Sequence, residues 1–188
     1  MIPLVPHPST PERVWRVAAR AERRAGGELR LRYELEGALA GVRIPRPGAL
    51  RRGEELWRHT CFEVFLAAED KPGYVELDFS PSREWAAYAF VRYRAGGALT
   101  DSRLVPQVVV RRESDVLAVD VLVALEDLTV SYRDAVLRVG LSAVVESKAG
   151  RCSYWALRHP GLKPDFHHEE AFALRLEAPR GTCEEPQT

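Results

Sequence analysis

An all-β fold, an antiparallel sandwich or barrel, is what this 188-residue sequence predicts. Three observations lead there. Apolar residues recur at every second position through most of the chain. The runs they form are short and bounded by clusters of glycine, proline and polar residues. No sustained helical period separates them, which is the pattern of stacked or closed antiparallel sheets.

Taken in order, the first dozen residues are punctuated by Pro3, Pro6, Pro8 and Pro11 and should run extended along a surface. TPERVWRVAARAERR (10–24) supports two readings. Thr10 can cap a helix with Pro11 at its first position and Val14, Val17, Ala18 and Ala21 along one stripe. Trp15, Val17, Ala19 and Ala21 fit strand alternation equally well, and Gly26-Gly27 then turns the chain into the next run. A strand is therefore expected here.

ELRLRYEL (28–35) sets Leu29, Leu31, Tyr33 and Leu35 on one face against charges on the other. YVELDF (74–79) does the same with Val75, Leu77 and Phe79 opposite Glu76 and Asp78, which alternation assigns to an ordinary polar face. Further strands are expected at TCFEVFLA, WAAYAFVRY, PQVVVRR, DVLAVDVLVAL, AVLRVGLSAVVE, CSYWAL and EAFALRLE. Glu113-Ser114 reads as a hairpin link, and Ala95-Gly96-Gly97 and Lys148-Ala149-Gly150 as turns. The expected organisation is one domain over residues 1–178, opened by the proline-rich segment 1–12 and followed by a flexible tail, 179–188.

The 27 basic and 27 acidic side chains cancel, and only Lys71, Lys148 and Lys163 are lysine. No broad positive field results, so neither nucleic acid nor a membrane surface is an expected partner. MIPLVPHPSTPERVW has no basic and apolar leader pattern, and a soluble cytoplasmic protein is expected. Cys61, Cys152 and Cys183 are odd in number and form no C-x-x-C pair, which speaks against a disulfide framework and a thiolate zinc site; Cys61 and Cys152 are expected as buried thiols in strands.

Three blocks carry a resemblance: LWRHTCFEVFLA (56–67), YVELDFSPSREWAAYAFVRY (74–93) and YWALRHPGLKPDFHH (154–168). In order and wording they resemble the bacterial DOMON-like proteins, relatives of the family 9 carbohydrate-binding modules, over nearly the whole chain from PLVPHP to EAFALRLE. The resemblance implies an immunoglobulin-like or jelly-roll-like β-sandwich of a superfamily that binds sugars or haem. A shared sandwich does not transfer a site.

Haem is disfavoured, since Met1 is the only methionine and no C-x-x-C-H motif exists. A metal ion stays open: His159, Asp165, His167 and His168 are suitable ligand types, but neighbouring residues of an extended chain point to opposite faces. The bland alternative has one of His167 and His168 facing solvent and the other capping backbone groups. Ser80, Ser82, Cys61, His59 and a His159/Asp165 pair contain the parts of a hydrolytic triad, yet there is no nucleophile elbow and Ser80-Pro81 reads as a turn. Glu63 lies in an apolar run, where a buried carboxylate demands a partner such as Arg58 or His59.

Sugar recognition asks for flat rings against apolar pyranose faces and planar polar groups for hydroxyl pairs. Trp57, Arg58 and His59 offer one such group, and Trp155, His159, Asp165 and His167 another. The resembled modules hold a sugar between two tryptophans, which makes Trp57 and Trp155 the pair to compare, whereas Trp85 reads as core. The expected function is reversible, non-catalytic binding of a small polar ligand, with a carbohydrate or sugar derivative favoured and no cofactor expected. A metal-assisted or His/Asp hydrolase built on His159, Asp165 and His167 is the alternative, with haem binding or a purely structural scaffold behind it.

Overall fold

The computed structural model describes residues 1–10, 15–24, 26–100, 103–128 and 130–179. Within them the alternating runs form two open sheets packed face to face. The smaller sheet orders β1 (Ile2–Pro3), β3 (Trp15–Arg23), β4 (Glu28–Gly37), β11 (Val116–Ala124) and β10 (Gln107–Arg112). The larger runs β2 (Val5–Pro6), β13 (Cys152–Ala156), β12 (Leu137–Glu146), β6 (Cys61–Ala68), β7 (Tyr74–Phe79), β8 (Glu84–Arg92) and β5 (Arg51–Arg52). β14 (Leu174–Leu176) pairs with β12, and β9 (Ala95–Ala98) with β8. Every pairing is antiparallel except that of β5 with β8. The fold is thus an antiparallel β-sandwich rather than a closed barrel.

Leu29, Leu31, Tyr33 and Leu35 of β4 face Phe62, Val64 and Leu66 of β6 and Val75, Leu77 and Phe79 of β7, all buried in one continuous core. Each such side chain contributes roughly 1.5–3 kcal/mol by leaving water. The Tyr33 hydroxyl crosses this core and donates to the Glu63 carbonyl at 2.7 Å, tying the two sheets together. Trp85 is core as expected.

Residues 15–23 resolve the ambiguous segment as a strand. Its alternating face (Trp15, Val17, Ala19) is buried while nine residue pairs join it to β4, and Gly26 and Gly27 turn the chain at positive φ. A helix would have left the long edge of β4 unpaired. Pro11 and Val14 of the helical reading lie outside the described residues, as do Cys183 and the expected tail beyond Pro179.

Two local expectations are corrected. Ala95-Gly96-Gly97 is not a turn but strand β9, and it needs glycine because a Cβ on Gly96 would collide with the Ala89 carbonyl of β8. EAFALRLE is mostly irregular: a 3-10 turn at Glu169–Ala171 precedes the three-residue β14.

The decisive departure concerns the large sheet. β6 and β7 are buried at every position, not at every second one. The outward face is covered by two irregular segments. Leu56, on the 3-10 turn Leu56–Arg58, packs with Cys61 and Ala86, while Ala171 and Phe172 pack on Phe65, Ala67 and Tyr74. Glu76 (4% exposed) and Asp78 (0%) therefore do not sit on a solvated polar face. Alternation directed them outward correctly, but the outer face has a roof.

Candidate functional site

A cavity of about 680 Å³ opens between that roof and the large sheet, within the usual range for small-ligand sites. Its floor is built by alternate residues of five adjacent strands: Cys152 and Tyr154 from β13, Val144 from β12, Glu63 and Phe65 from β6, Glu76 from β7, and Tyr88 and Phe90 from β8. Trp57 and Arg58 form one wall. Pro164, Phe166 and His167, on the proline-stiffened loop after β13, form another with Arg94.

The loop is held by a polar network. Tyr93 and Arg94 donate to the two oxygens of Asp165 at 2.7 and 2.9 Å, and the His167 amide donates to Asp165 at 3.2 Å. Burial raises the Asp165 carboxyl, but the hydrogen bonds from Tyr93 and Arg94 more than offset it and hold the group below the ordinary aspartate value. The Tyr74 hydroxyl accepts from the Arg94 amide at 3.1 Å and lies 2.9 Å from His167 Nδ1, where its own proton serves as donor to the ring in the Nε2–H tautomer. That assignment leaves the proton of the neutral ring on Nε2, 3.7 Å from Glu76. Burial, reinforced by the Arg94 charge, lowers His167 to about 4, so the ring is uncharged at neutral pH.

Beneath the floor the carboxyls crowd together. Glu63 pairs with Asp78 in the β6–β7 register, and Glu76 shares their face. Burial, then the Glu76 charge, pushes Glu63 well up, opposed by the Ser142 hydroxyl that donates to it at 3.3 Å. Burial lifts Glu76 to about 7, against pulls from Asp78 and Arg94. Asp78 is also raised well above its ordinary value by burial and by the neighbouring carboxylates. The expected partners of Glu63, Arg58 and His59, are engaged elsewhere: Arg58 with Glu55 at 2.9 Å and over the Trp57 ring, His59 with Glu146 at 2.8 Å.

Of the seven residues singled out in the sequence, Trp57, Arg58 and His167 line the cavity. Asp165 stands behind the wall and positions Arg94. His59, itself exposed, lies apart and pairs with the buried Glu146. His159 donates to the Val5 carbonyl at 2.8 Å and stacks edge-on with His7, pinning the N-terminal segment. Trp155 is a correction: 3% exposed, it points between the sheets, its indole donating to Ser153 at 3.0 Å, because its register on β13 sends its neighbours Cys152 and Tyr154 to the cavity. Trp57 (43% exposed) and Trp155 therefore do not face each other across a cleft. His168 accepts from the Glu170 amide at 3.2 Å, the capping role of the bland reading. Cys152 is half-buried on the cavity wall rather than fully buried.

Glu63, Glu76, Tyr88, Phe90, Arg94, Tyr154 and Phe166 are cavity residues the motif reading did not assemble. A usable signal was present: TCFEVF and YVELDF place acids among apolar residues on consecutive strands, so pairing them stacks carboxyls on one face.

The molecule is thus an open antiparallel β-sandwich whose larger sheet carries a roofed, aromatic and acidic cavity on its outer face. No known protein family and no curated protein matches the sequence. Among solved structures, a candidate carbohydrate-binding protein from Bacteroides uniformis shares the fold with a TM-score of 0.58 and 15% identity, covering 90% of this chain and 82% of that one. A family 9 carbohydrate-binding module from Caldicellulosiruptor kristjanssonii, solved with glucose, aligns at a TM-score of 0.49 and 10% identity over 82% of this chain and 74% of its own. At these identities the likeness is one of fold.

Proposed function

We propose that the protein is a DOMON-like relative of the family 9 modules and that it binds a carbohydrate or sugar derivative in the roofed cavity, reversibly and without covalent chemistry. The observation that carries this reading is the composition of one wall-and-floor set. Trp57, Phe90, Tyr154 and Phe166 supply ring faces, while Glu63, Glu76, Arg58, Arg94 and His167 supply hydrogen-bonding groups around the same space. The fold shared with a candidate carbohydrate-binding protein agrees with it. A His159/Asp165 hydrolase gains no support, since His159 is committed to Val5 and Asp165 to Tyr93 and Arg94.

The test is calorimetric titration with a panel of neutral, amino and phosphorylated sugars and nucleotide sugars, glucose and cello-oligosaccharides included. A true ligand binds one site per chain, and Trp57→Ala and Phe166→Ala each weaken it by about 1–3 kcal/mol, the scale of a lost stacking contact. Trp57 is partly exposed, so its removal leaves the free protein nearly as stable. Absence of binding across the panel, or binding indifferent to both substitutions, removes the proposal.

A further inference from the structure

Under the cavity floor, Cys61, Glu63 and Asp78 bring one sulfur and two carboxylate oxygens within 4.8 Å of one another, all three residues buried. They converge because β6 puts Cys61 and Glu63 two residues apart on one face and the β6–β7 register sets Asp78 directly beside Glu63. The neighbours within the sheet are small, Ala86 beside Asp78 on β8 and Ser142 beside Glu63 on β12, while Leu56 of the roof closes over Cys61 and Ala86.

Among the described residues, Oε1 of Glu63 meets no hydrogen-bond donor, and the oxygens of Asp78 meet none besides the Glu76 carboxyl when that group carries a proton. Both residues are almost wholly shut off from solvent, Glu63 at 2% exposure and Asp78 at 0%. An unsatisfied buried carboxylate is costly, and the cost is removed either by a proton or by a cation. Asp78 reaches Glu76 closely enough to share a proton with it, so protons are the competing occupant.

We propose that Cys61, Glu63 and Asp78 form a binding site for a divalent ion of the zinc class. One thiolate with two carboxylates is a donor set such an ion accepts, whereas calcium and magnesium prefer oxygen alone. Donors around a tetrahedral zinc stand about 3.5 Å apart, so side-chain movements of about 1 Å close the site. The bound ion would keep the thiol deprotonated despite its burial. Glu63 also lines the cavity, so the cluster lies directly beside that space. The site does not depend on sugar binding.

Cobalt(II) is the probe, added to chelator-treated full-length protein and then displaced by zinc. Uptake of one equivalent with a near-ultraviolet thiolate-to-cobalt band is expected. Cys61→Ser should abolish the band, while Cys152→Ser and Cys183→Ser retain it. Asp78→Asn and Glu63→Gln should each weaken uptake by about 10- to 100-fold at the least. Because each of these two changes neutralises a buried carboxyl at constant shape, the metal-free variants should melt no lower than the parent, which separates loss of the site from loss of the fold. The proposal is overturned by no cobalt uptake, which assigns the cluster to protons, by a sulfur band that survives in Cys61→Ser, or by unchanged uptake in both Asp78→Asn and Glu63→Gln.

Discussion

At neutral pH the His167 ring is uncharged in the folded protein, because burial and the Arg94 guanidinium together disfavour its cation. Four titratable or charged groups face it: Tyr74 at Nδ1, Glu76 opposite Nε2, and Arg94 and Asp165 from the loops on either side. An unfolded histidine titrates near 6.5 and the folded one at about 4, so between those values the unfolded chain binds the extra proton. The contribution of neutral His167 to stability is complete above pH 6.5 and is lost as pH falls to about 4. Discounted for the ring's partial exposure, the loss is about 1–2 kcal/mol. Urea denaturation of the wild type and His167→Gln at several pH values from 7 to 4 isolates it: the wild type should lose that much relative to the variant, and a constant difference means an ordinary histidine. The same ring shows what residue-level reading of a sequence can reach. HPGLKPDFHH marked His167 as loop-borne and free to face a ligand, but its partners Tyr74 and Arg94 lie more than 70 residues away in sequence. Glu76 and Asp78 were misread for a related reason: alternation fixes which face a side chain takes, not what covers that face.

The segment from Leu157 to Phe172 acts as a unit, an irregular strap that turns the solvated side of a sheet into a second buried layer. Its anchor is Phe172, whose ring stacks on Phe65 at 5.7 Å and meets Tyr74 edge-on. Gly140 of β12 makes room for that ring: a Cβ there would stand 2.9 Å from Phe172 Cδ1 and 3.3 Å from Phe65 Cβ. Gly140→Ala should therefore destabilise by about 1–3 kcal/mol through overpacking. Phe172→Leu in the same chain should recover part of that loss, a coupling read from a double-mutant cycle of urea midpoints. Additive losses would show that the strap shifts without strain. Strands are the elements the sequence makes most legible, since β4, β7, β11 and β12 follow from alternation alone. The strap is the least legible, because its position depends on an aromatic ring meeting a glycine on another strand.

Across the whole molecule, the proline-rich start joins the two sheets. Ile2 and Pro3 pair with β3 of the small sheet, Val5 and Pro6 pair with β13 of the large one, and Leu4 between them is buried in the common core. Proline suits this place because it closes an edge without offering another donor for pairing. The Leu4 amide bonds to Val17, the His7 amide to Tyr154, and His159 bonds back to Val5. Extended chain along a surface was readable from the prolines; that it bridges both sheets was not, since nothing local in MIPLVPHP encodes a partner more than 140 residues away. Deleting residues 1–9 removes one buried leucine and several hydrogen bonds, a cost of about 3–6 kcal/mol in urea denaturation. It also bares the edges of β3 and β13, and unpaired edges recruit other chains, so sedimentation should show concentration-dependent self-association beyond that of the parent. Because β13 carries Cys152 and Tyr154 into the cavity, the same deletion should weaken whatever ligand the cavity holds. A truncated chain that associates no more than the parent and keeps its stability would reduce the segment to a passive cover.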